Sequence, residues 1–237
     1  MPGLGGYCWG MDRPSLEAKL DEAEAALAGG GPVDLAGLGF WKAVGFVKRH
    51  PELVDEYGTR IARIDREAFE RWAVIKTSLA AGTTLMVVAT IIGLVLIGLA
   101  YGFTGWGQAI ALGVGVGILM VSTHSLAHQL VGSLQGMRFT HWFIGKWIQP
   151  YPGVKVDYDS YLRVPPERRA LMHASGAIVT KLVPVVGLGA AWAMGAEPWV
   201  IWVLVILTLL GVVTDVLWST KVSDWKKYKR ERTLAGR

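Results

Sequence analysis

Residues 106–134 read WGQAIALGVGVGILMVSTHSLAHQLVGSL, a long apolar stretch with a polar cluster near its end. Within it, His124 and His128 are four residues apart, which places both imidazoles on one face of a helix, within reach of a single ion. From Thr77 to Met137 the chain has no Asp, Glu, Lys or Arg. Polar side chains at membrane depth are costly and face the protein interior, so the pair predicts a functional site.

The composition indicates a multi-span membrane protein. The 237 residues are 52% hydrophobic and 18% charged, whereas average soluble domains carry about 25% charged residues. A lone cysteine, Cys8, excludes an internal disulfide framework and a cysteine-rich metal site. The net charge of +5 does not indicate nucleic-acid binding, because the basic residues flank the apolar segments, where anionic lipid headgroups attract them.

We predict an all-α membrane protein, built as a four-transmembrane-helix bundle with N-terminal amphipathic helices. Each of four apolar segments reaches the length of about 20 residues that crosses a bilayer. The segments cover about 77–101, 106–134, 170–194 and 198–218, within a transmembrane domain over 77–220. A cytoplasmic or interfacial helical region over 1–76 precedes this domain, and a basic cytoplasmic tail over 221–237 follows it.

The N-terminal region has apolar residues at helical spacing with charged residues between them. The run over 53–72 shows this pattern most clearly. It predicts amphipathic helices that lie on the membrane surface and lead into the first span. The alternative is a small soluble helical cap.

The charges beside the spans predict the orientation. The connections at 101–106 and 194–199 hold one charged residue, Glu197, whereas the loop between spans two and three and the two termini are rich in Lys and Arg. By the positive-inside rule, both termini and this loop are cytoplasmic in a multi-pass protein of the cell membrane. Pro and Gly residues in the loop predict turns and short strands rather than another helix.

Polar residues of three spans fall at one predicted depth. At 1.5 Å per residue, His124 lies about 27 Å from Trp106 at the outer face, and Asp215 lies about 24 Å from Trp199. His173 lies about 5 Å inside the cytoplasmic start of span three. This coincidence predicts a shared metal site near the cytoplasmic face.

Each of these residues also has a simpler interpretation. The two histidines of span two could form a hydrogen-bonded pair at the membrane interface, and His173 could be an ordinary interfacial histidine. Lys181, which lies deeper on span three, could be the counter-ion of Asp215 without any metal, because a lone carboxylate in a span requires a cation or a donor.

The pattern His124-Ser125-Leu126-Ala127-His128, with Asp215 two spans later, resembles the intramembrane zinc metalloproteases of the site-2 protease family. In that family a span carries His-Glu-x-x-His and a later span supplies an aspartate. The resemblance covers about residues 106–220 and implies that His124, His128 and Asp215 bind zinc. It also implies a membrane-protein substrate. His173, Lys181 and Ser125 are further candidates for this site.

The chain departs from the family where catalysis is concerned. Ser125 replaces the glutamate that activates the zinc-bound water, and a hydroxyl near neutral pH does not fill that role unaided. The resemblance therefore implies an inactive or altered metallohydrolase. A relocated base would have to come from a cytoplasmic carboxylate that folds over the site; the candidates are Asp157, Asp159, Glu167 and Asp224. The His-Ser-x-x-His pattern also resembles that of prokaryotic membrane proteins, which implies no activity.

Two other functions remain open at this point. The first is a non-enzymatic subunit or scaffold of a membrane complex, in which the polar residues form buried pairs and a partner subunit docks on the chain. The second is a b-type haem protein, with a span-two histidine and His173 as axial ligands. Apart from the lipid bilayer, the sequence identifies no partner, and it does not indicate nucleic acid.

Overall fold

The computed structural model describes residues 11–145, 152–217 and 223–236, without the side chains of 214–217. The chain divides into two compact units. One comprises Met1–Val74 and Asp157–Arg163, and the other comprises Ile75–Val156 and Val164–Arg237.

The first unit is helical. Asp12 caps α1 by accepting a hydrogen bond from the backbone N–H of Ser15. The elements of this unit are α1 (Arg13–Ala28), α2 (Phe40–Arg49), a 3₁₀ turn (Pro51–Leu53), α3 (Val54–Trp72) and α6 (Tyr158–Arg163). The predicted amphipathic helices are therefore present in this part of the chain.

The apolar faces of these helices bury one another. Leu16, Phe40, Val47, Ile61 and Ile64 are fully buried. Around them, charged side chains pair across helices, as when the guanidinium of Arg60 binds the carboxylates of Asp21 and Glu24. Such mutual burial is the packing expected of a helical cap, and the position of this unit at a membrane stays a prediction.

The second unit is a helical bundle with α5 at its centre. Its helices are α4 (Leu79–Ala100), α5 (Gly105–Leu134), α7 (Pro166–Ala193), α8 (Pro198–Leu217) and α9 (Asp224–Ala235). Helix α5 packs between α4 and α7, while α8 and α9 pack on α7. Gly93 and Gly115 bring α4 and α5 together, because a Cβ on Gly115 would lie 2.8 Å from the carbonyl oxygen of Gly93.

Three of these helices, α4, α5 and α7, are long and apolar enough to cross a membrane, counting only the described residues. Large apolar side chains of α4 such as Leu85, Ile91 and Leu94 are more than half exposed, as suits a surface in contact with lipid. The chain is thus mostly helical, as predicted, and these three helices indicate a membrane protein. Helix α7 begins at Pro166, before the predicted start of the third span.

A small sheet accompanies the helices and was missing from the all-α prediction. Its antiparallel strands are β1 (Ile75–Ser78), β2 (Phe139–Ile144) and β3 (Gly153–Val156), in the order β1-β2-β3. The short strands predicted in the loop are confirmed for β3. Strand β1 comes from residues at the border of the first predicted span, and it pairs with β2 from Ile75 opposite Ile144 to Ser78 opposite His141.

The prediction that the loop forms no further helix was wrong, because α6 lies within it. Its first turn is stabilised by Asp157, whose carboxylate accepts a hydrogen bond from the backbone N–H of Ser160 at 3.2 Å. Tyr161 and Leu162 of this helix are buried. A cap and two buried side chains therefore stabilise a helix that its short length made hard to predict.

Candidate metal site

Helix α5 distributes its polar side chains between two neighbours. On the side of α4, the hydroxyls of Ser122 and Thr90 are hydrogen-bonded at 2.9 Å, and the side chains of Gln129 and Thr83 are hydrogen-bonded at 3.0 Å. His124 and His128 lie on a different side, where their rings contact α7. The two hydrogen bonds to α4 fix the rotation of α5 about its axis. In this rotation both imidazoles point toward α7.

Helix α7 binds one nitrogen of each imidazole. The Nδ1 atom of His128 lies 2.7 Å from the backbone carbonyl oxygen of Met172, and Nδ1 of His124 lies 2.8 Å from the hydroxyl of Thr180. That hydroxyl itself donates to the carbonyl oxygen of Gly176 at 2.8 Å. Both rings are therefore oriented by groups of the neighbouring helix, as metal-binding histidines usually are.

Gly176 provides the space that the His128 ring occupies. A Cβ at this position would lie 2.3 Å from Nε2 of His128, which is closer than real side-chain contacts allow. The close approach of α7 to this imidazole therefore depends on glycine.

A carboxylate from the C-terminal helix completes the group. Oδ2 of Asp224 lies 3.2 Å from Nε2 of His124 and 3.1 Å from Nε2 of His128. The exposed fractions of the three side chains are 34% for His124, 12% for His128 and 18% for Asp224. Within the part of the chain that the structure describes, these three residues form the one group of three suitable donors placed to hold a metal ion.

The hydrogen bonds assign the protons on the two rings. A carbonyl oxygen only accepts, so Nδ1 of His128 carries a proton. The Thr180 hydroxyl uses its single hydrogen on the Gly176 carbonyl, so Nδ1 of His124 also donates. In the neutral ring the other nitrogen then has a lone pair. Two lone pairs therefore face one carboxylate oxygen, an arrangement that requires a cation, either a proton or a metal ion.

The distances suit a metal ion. With zinc–nitrogen and zinc–oxygen bonds of about 2.0–2.2 Å and tetrahedral angles, two ligand atoms are about 3.4 Å apart. The two nitrogen–oxygen distances at Asp224 are 3.2 and 3.1 Å. Both nitrogen–oxygen distances are therefore close to the zinc value, and all three donor atoms lie within 4.8 Å of one another.

Asp224 is held as a carboxylate by its surroundings. Burial acts to raise its pKa, but the hydrogen bonds that protonated His124 and His128 rings donate, together with the charge of Lys227, outweigh burial, and the pKa of Asp224 falls well below its usual range. Nζ of Lys227 lies 3.0 Å from Oδ1. Lys227 therefore occupies one carboxylate oxygen and leaves the other directed at the histidines.

The further candidate residues lie near the group in different roles. Ser125 donates a hydrogen bond from its hydroxyl to the carbonyl oxygen of Pro152 at 2.7 Å, which ties the segment before β3 to α5. The ring of His173 lies 6.5 Å from that of His128, centre to centre. Nζ of Lys181 donates to the carbonyl oxygen of Ala177 in its own helix.

Asp215, the predicted third ligand, belongs to α8, but its side chain lies outside the described residues. The carboxylate that the structure brings to the histidines is Asp224, which the sequence suggested only as a relocated base. Two of the other carboxylates suggested for that role have their own contacts. Asp157 binds Arg66 at 3.1 Å, and Asp159 binds Arg163 at 3.1 Å.

A signal for the helix that carries Asp224 was present in the basic tail. Residues 224–235 contain no Gly or Pro, and Ser223 stands at the N-cap position, where its hydroxyl accepts from the backbone N–H of Lys226. These features predict a helix that begins at Asp224. The sequence did not indicate that this helix returns to the histidines.

The chain was compared with protein-family models, curated proteins and solved structures. None of them matches. The resemblance to the site-2 protease family therefore stays a prediction drawn from the residues.

Proposed function

We propose that the chain is a four-span membrane protein that binds one zinc ion near the cytoplasmic face through His124, His128 and Asp224. One observation carries this proposal. The Nε2 atoms of both histidines converge on one carboxylate oxygen while both Nδ1 atoms are bound elsewhere. The protein thus has a preformed set of two nitrogen donors and one oxygen donor.

The donor set favours a transition metal such as zinc over Mg²⁺ and Ca²⁺. Imidazole suits transition metals, whereas Mg²⁺ and Ca²⁺ prefer oxygen ligands. Three protein ligands of the His₂-carboxylate type leave a fourth tetrahedral position, which water occupies in zinc sites of this kind. The metal would therefore have one exchangeable position.

The topology proposed for the membrane domain agrees with the location of Asp224. Helix α7 contacts the histidines through Met172 and Thr180, which lie between its first turn and its middle. Asp224 follows α8, whose 20 residues span about 30 Å. A return of α8 across the bilayer would bring Asp224 back to the level of the histidines, which supports a fourth span and cytoplasmic termini.

The surroundings of the proposed site favour metal binding rather than site-2-protease-like hydrolysis. The hydroxyl of Ser125, at the position of the family's glutamate, is engaged with the Pro152 carbonyl. Asp224 is bound by both histidines and by Lys227, so its carboxylate is not poised to accept a proton from water. We therefore propose a metal-binding protein derived from, or parallel to, a metallohydrolase core.

The other two functions have less support. A haem ligated by a span-two histidine and His173 would require an Nε2 atom that now faces Asp224. In a scaffold without metal, a proton would join the imidazoles to Asp224 and the group would only hold α9 in place.

Metal analysis distinguishes these functions. We expect the purified full-length chain to contain close to one zinc ion, and His124→Ala to contain far less because one of its three ligands is removed. His50→Ala is the matched control, since His50 belongs to the first unit and binds the carbonyl oxygen of Phe46. Equal zinc content in the wild type and His124→Ala would overturn the proposal, and a Soret band would favour haem.

A further inference from the structure

Helix α9 carries a second acidic side chain on the same face as Asp224. Asp224 and Glu231 are seven residues apart, which corresponds to two turns and about 10.5 Å along the helix. Glu231 is fully buried, and Oε2 of its carboxylate accepts a hydrogen bond from Nε of Arg169 at 2.7 Å. Arg169 lies in the first turn of α7 and is 3% exposed. A buried ion pair thus joins α9 to α7 two turns away from the candidate zinc site.

A buried ion pair contributes little to net stability, and in some proteins it selects one arrangement of the packed elements. The desolvation of both charges offsets most of their attraction, whereas separating the partners leaves a buried charge uncompensated. If each residue of α9 moved to the place that its neighbour now occupies, the helix would shift by about 1.5 Å and turn by about 100°. Glu231 and Asp224 would still share one face of α9, but that face would no longer point at Arg169 and the histidines.

We propose that Arg169 and Glu231 are positioning residues that hold α9 in the register that brings Asp224 to His124 and His128. This inference rests on the proposed zinc site. Neither residue donates to the metal. Their effect on zinc affinity passes through the position of the Asp224 carboxylate, which in this register lies within 3.2 Å of Nε2 of both rings.

The test compares zinc affinities of the full-length chain by competition with a chromophoric chelator. We expect Glu231→Gln, which keeps the shape of the side chain and removes its charge, to weaken zinc binding about ten- to hundredfold, as the loss of an orienting partner does in other metal sites. The matched control is Glu24→Gln. It removes the same charge from a carboxylate of the first unit that binds both Arg60 and Arg63. The control should bind zinc like the wild type.

A second variant separates positioning from stability. In the double variant Arg169→Met and Glu231→Leu, apolar side chains of similar size replace both charges, a change that often leaves stability equal or higher. We expect this protein to fold with an unchanged or raised melting temperature but to bind zinc at least tenfold more weakly. In the metal-free state, amide hydrogens of α9 should exchange faster in Glu231→Gln than in the wild type.

The outcomes separate the two proposals. Wild-type affinity in both the Glu231→Gln and the double variant would overturn the positioning role and leave the zinc site standing. Unchanged exchange of α9 amides would also overturn it, without reference to metal. A wild-type chain that binds no zinc would overturn the proposed function and this inference together.

Discussion

Replacing Asp224 with asparagine is expected to remove most of the zinc from the purified protein. The amide keeps the size of the side chain but loses the negative charge that two imidazoles and Lys227 now contact. Because a zinc ligand itself is lost, the affinity should fall by more than the ten- to hundredfold typical of an orienting partner. Zinc content and chelator competition measure the effect.

Asp215→Asn is the matched control for this experiment. It makes the same chemical change at the carboxylate that the family resemblance assigns to the metal. We expect this variant to retain zinc close to the wild-type level. Zinc lost from Asp215→Asn but retained by Asp224→Asn would contradict the proposed ligand set and favour the carboxylate of α8.

Gly176→Ala is expected to disrupt the site without altering any ligand. The added Cβ would meet Nε2 of His128 at 2.3 Å, so the ring must turn away or α7 must move. Overpacking of this kind costs about 1–3 kcal/mol of stability, and a displaced imidazole no longer reaches Asp224. Zinc content should therefore fall sharply, and the melting temperature of the metal-free protein should decrease.

Gly189→Ala controls for the effect of an added methyl group in the same helix. A Cβ at Gly189 would have no heavy atom within 4 Å. This variant should keep both its zinc and its melting temperature. A Gly176→Ala protein that binds zinc as tightly as the wild type would show that the position of the His128 ring is not required for binding.

The helical membrane domain was predictable because its signals are local. An apolar segment of membrane-spanning length indicates a helix whatever its neighbours, so α4, α5 and α7 were expected close to their observed bounds. The spacing of His124 and His128 likewise fixes their common face from the sequence alone. Strand β1 was not expected, because it depends on pairing with β2, more than 60 residues later.

The carboxylate that lies beside the histidines was less predictable, because its position depends on how distant helices pack. Depth along a span suggested Asp215, whereas Asp224 reaches the histidines through the docking of α9 on α7. That docking involves the buried pair of Arg169 and Glu231, which are 62 residues apart. Neither residue lies in an apolar segment with a periodic pattern, so nothing local in the sequence marked them as partners.

The orientation of the imidazoles also follows from tertiary contacts. The hydroxyl of Thr180 fixes the Nδ1 side of His124. The carbonyl oxygen of Met172 does the same for His128. A backbone acceptor has no sequence signature, so the direction of both Nε2 atoms toward Asp224 emerges only from the packing of α5 and α9 against α7.

X-ray absorption at the zinc K-edge of the zinc-loaded full-length protein tests the proposed coordination most directly. The account predicts two imidazole nitrogens and a carboxylate oxygen at about 2.0–2.2 Å, with four ligand atoms in total and no sulfur. It also predicts that the imidazole signal is reduced in His128→Ala. A spectrum with oxygen ligands alone, or with imidazole scattering unchanged in that variant, would contradict the ligand set of His124, His128 and Asp224.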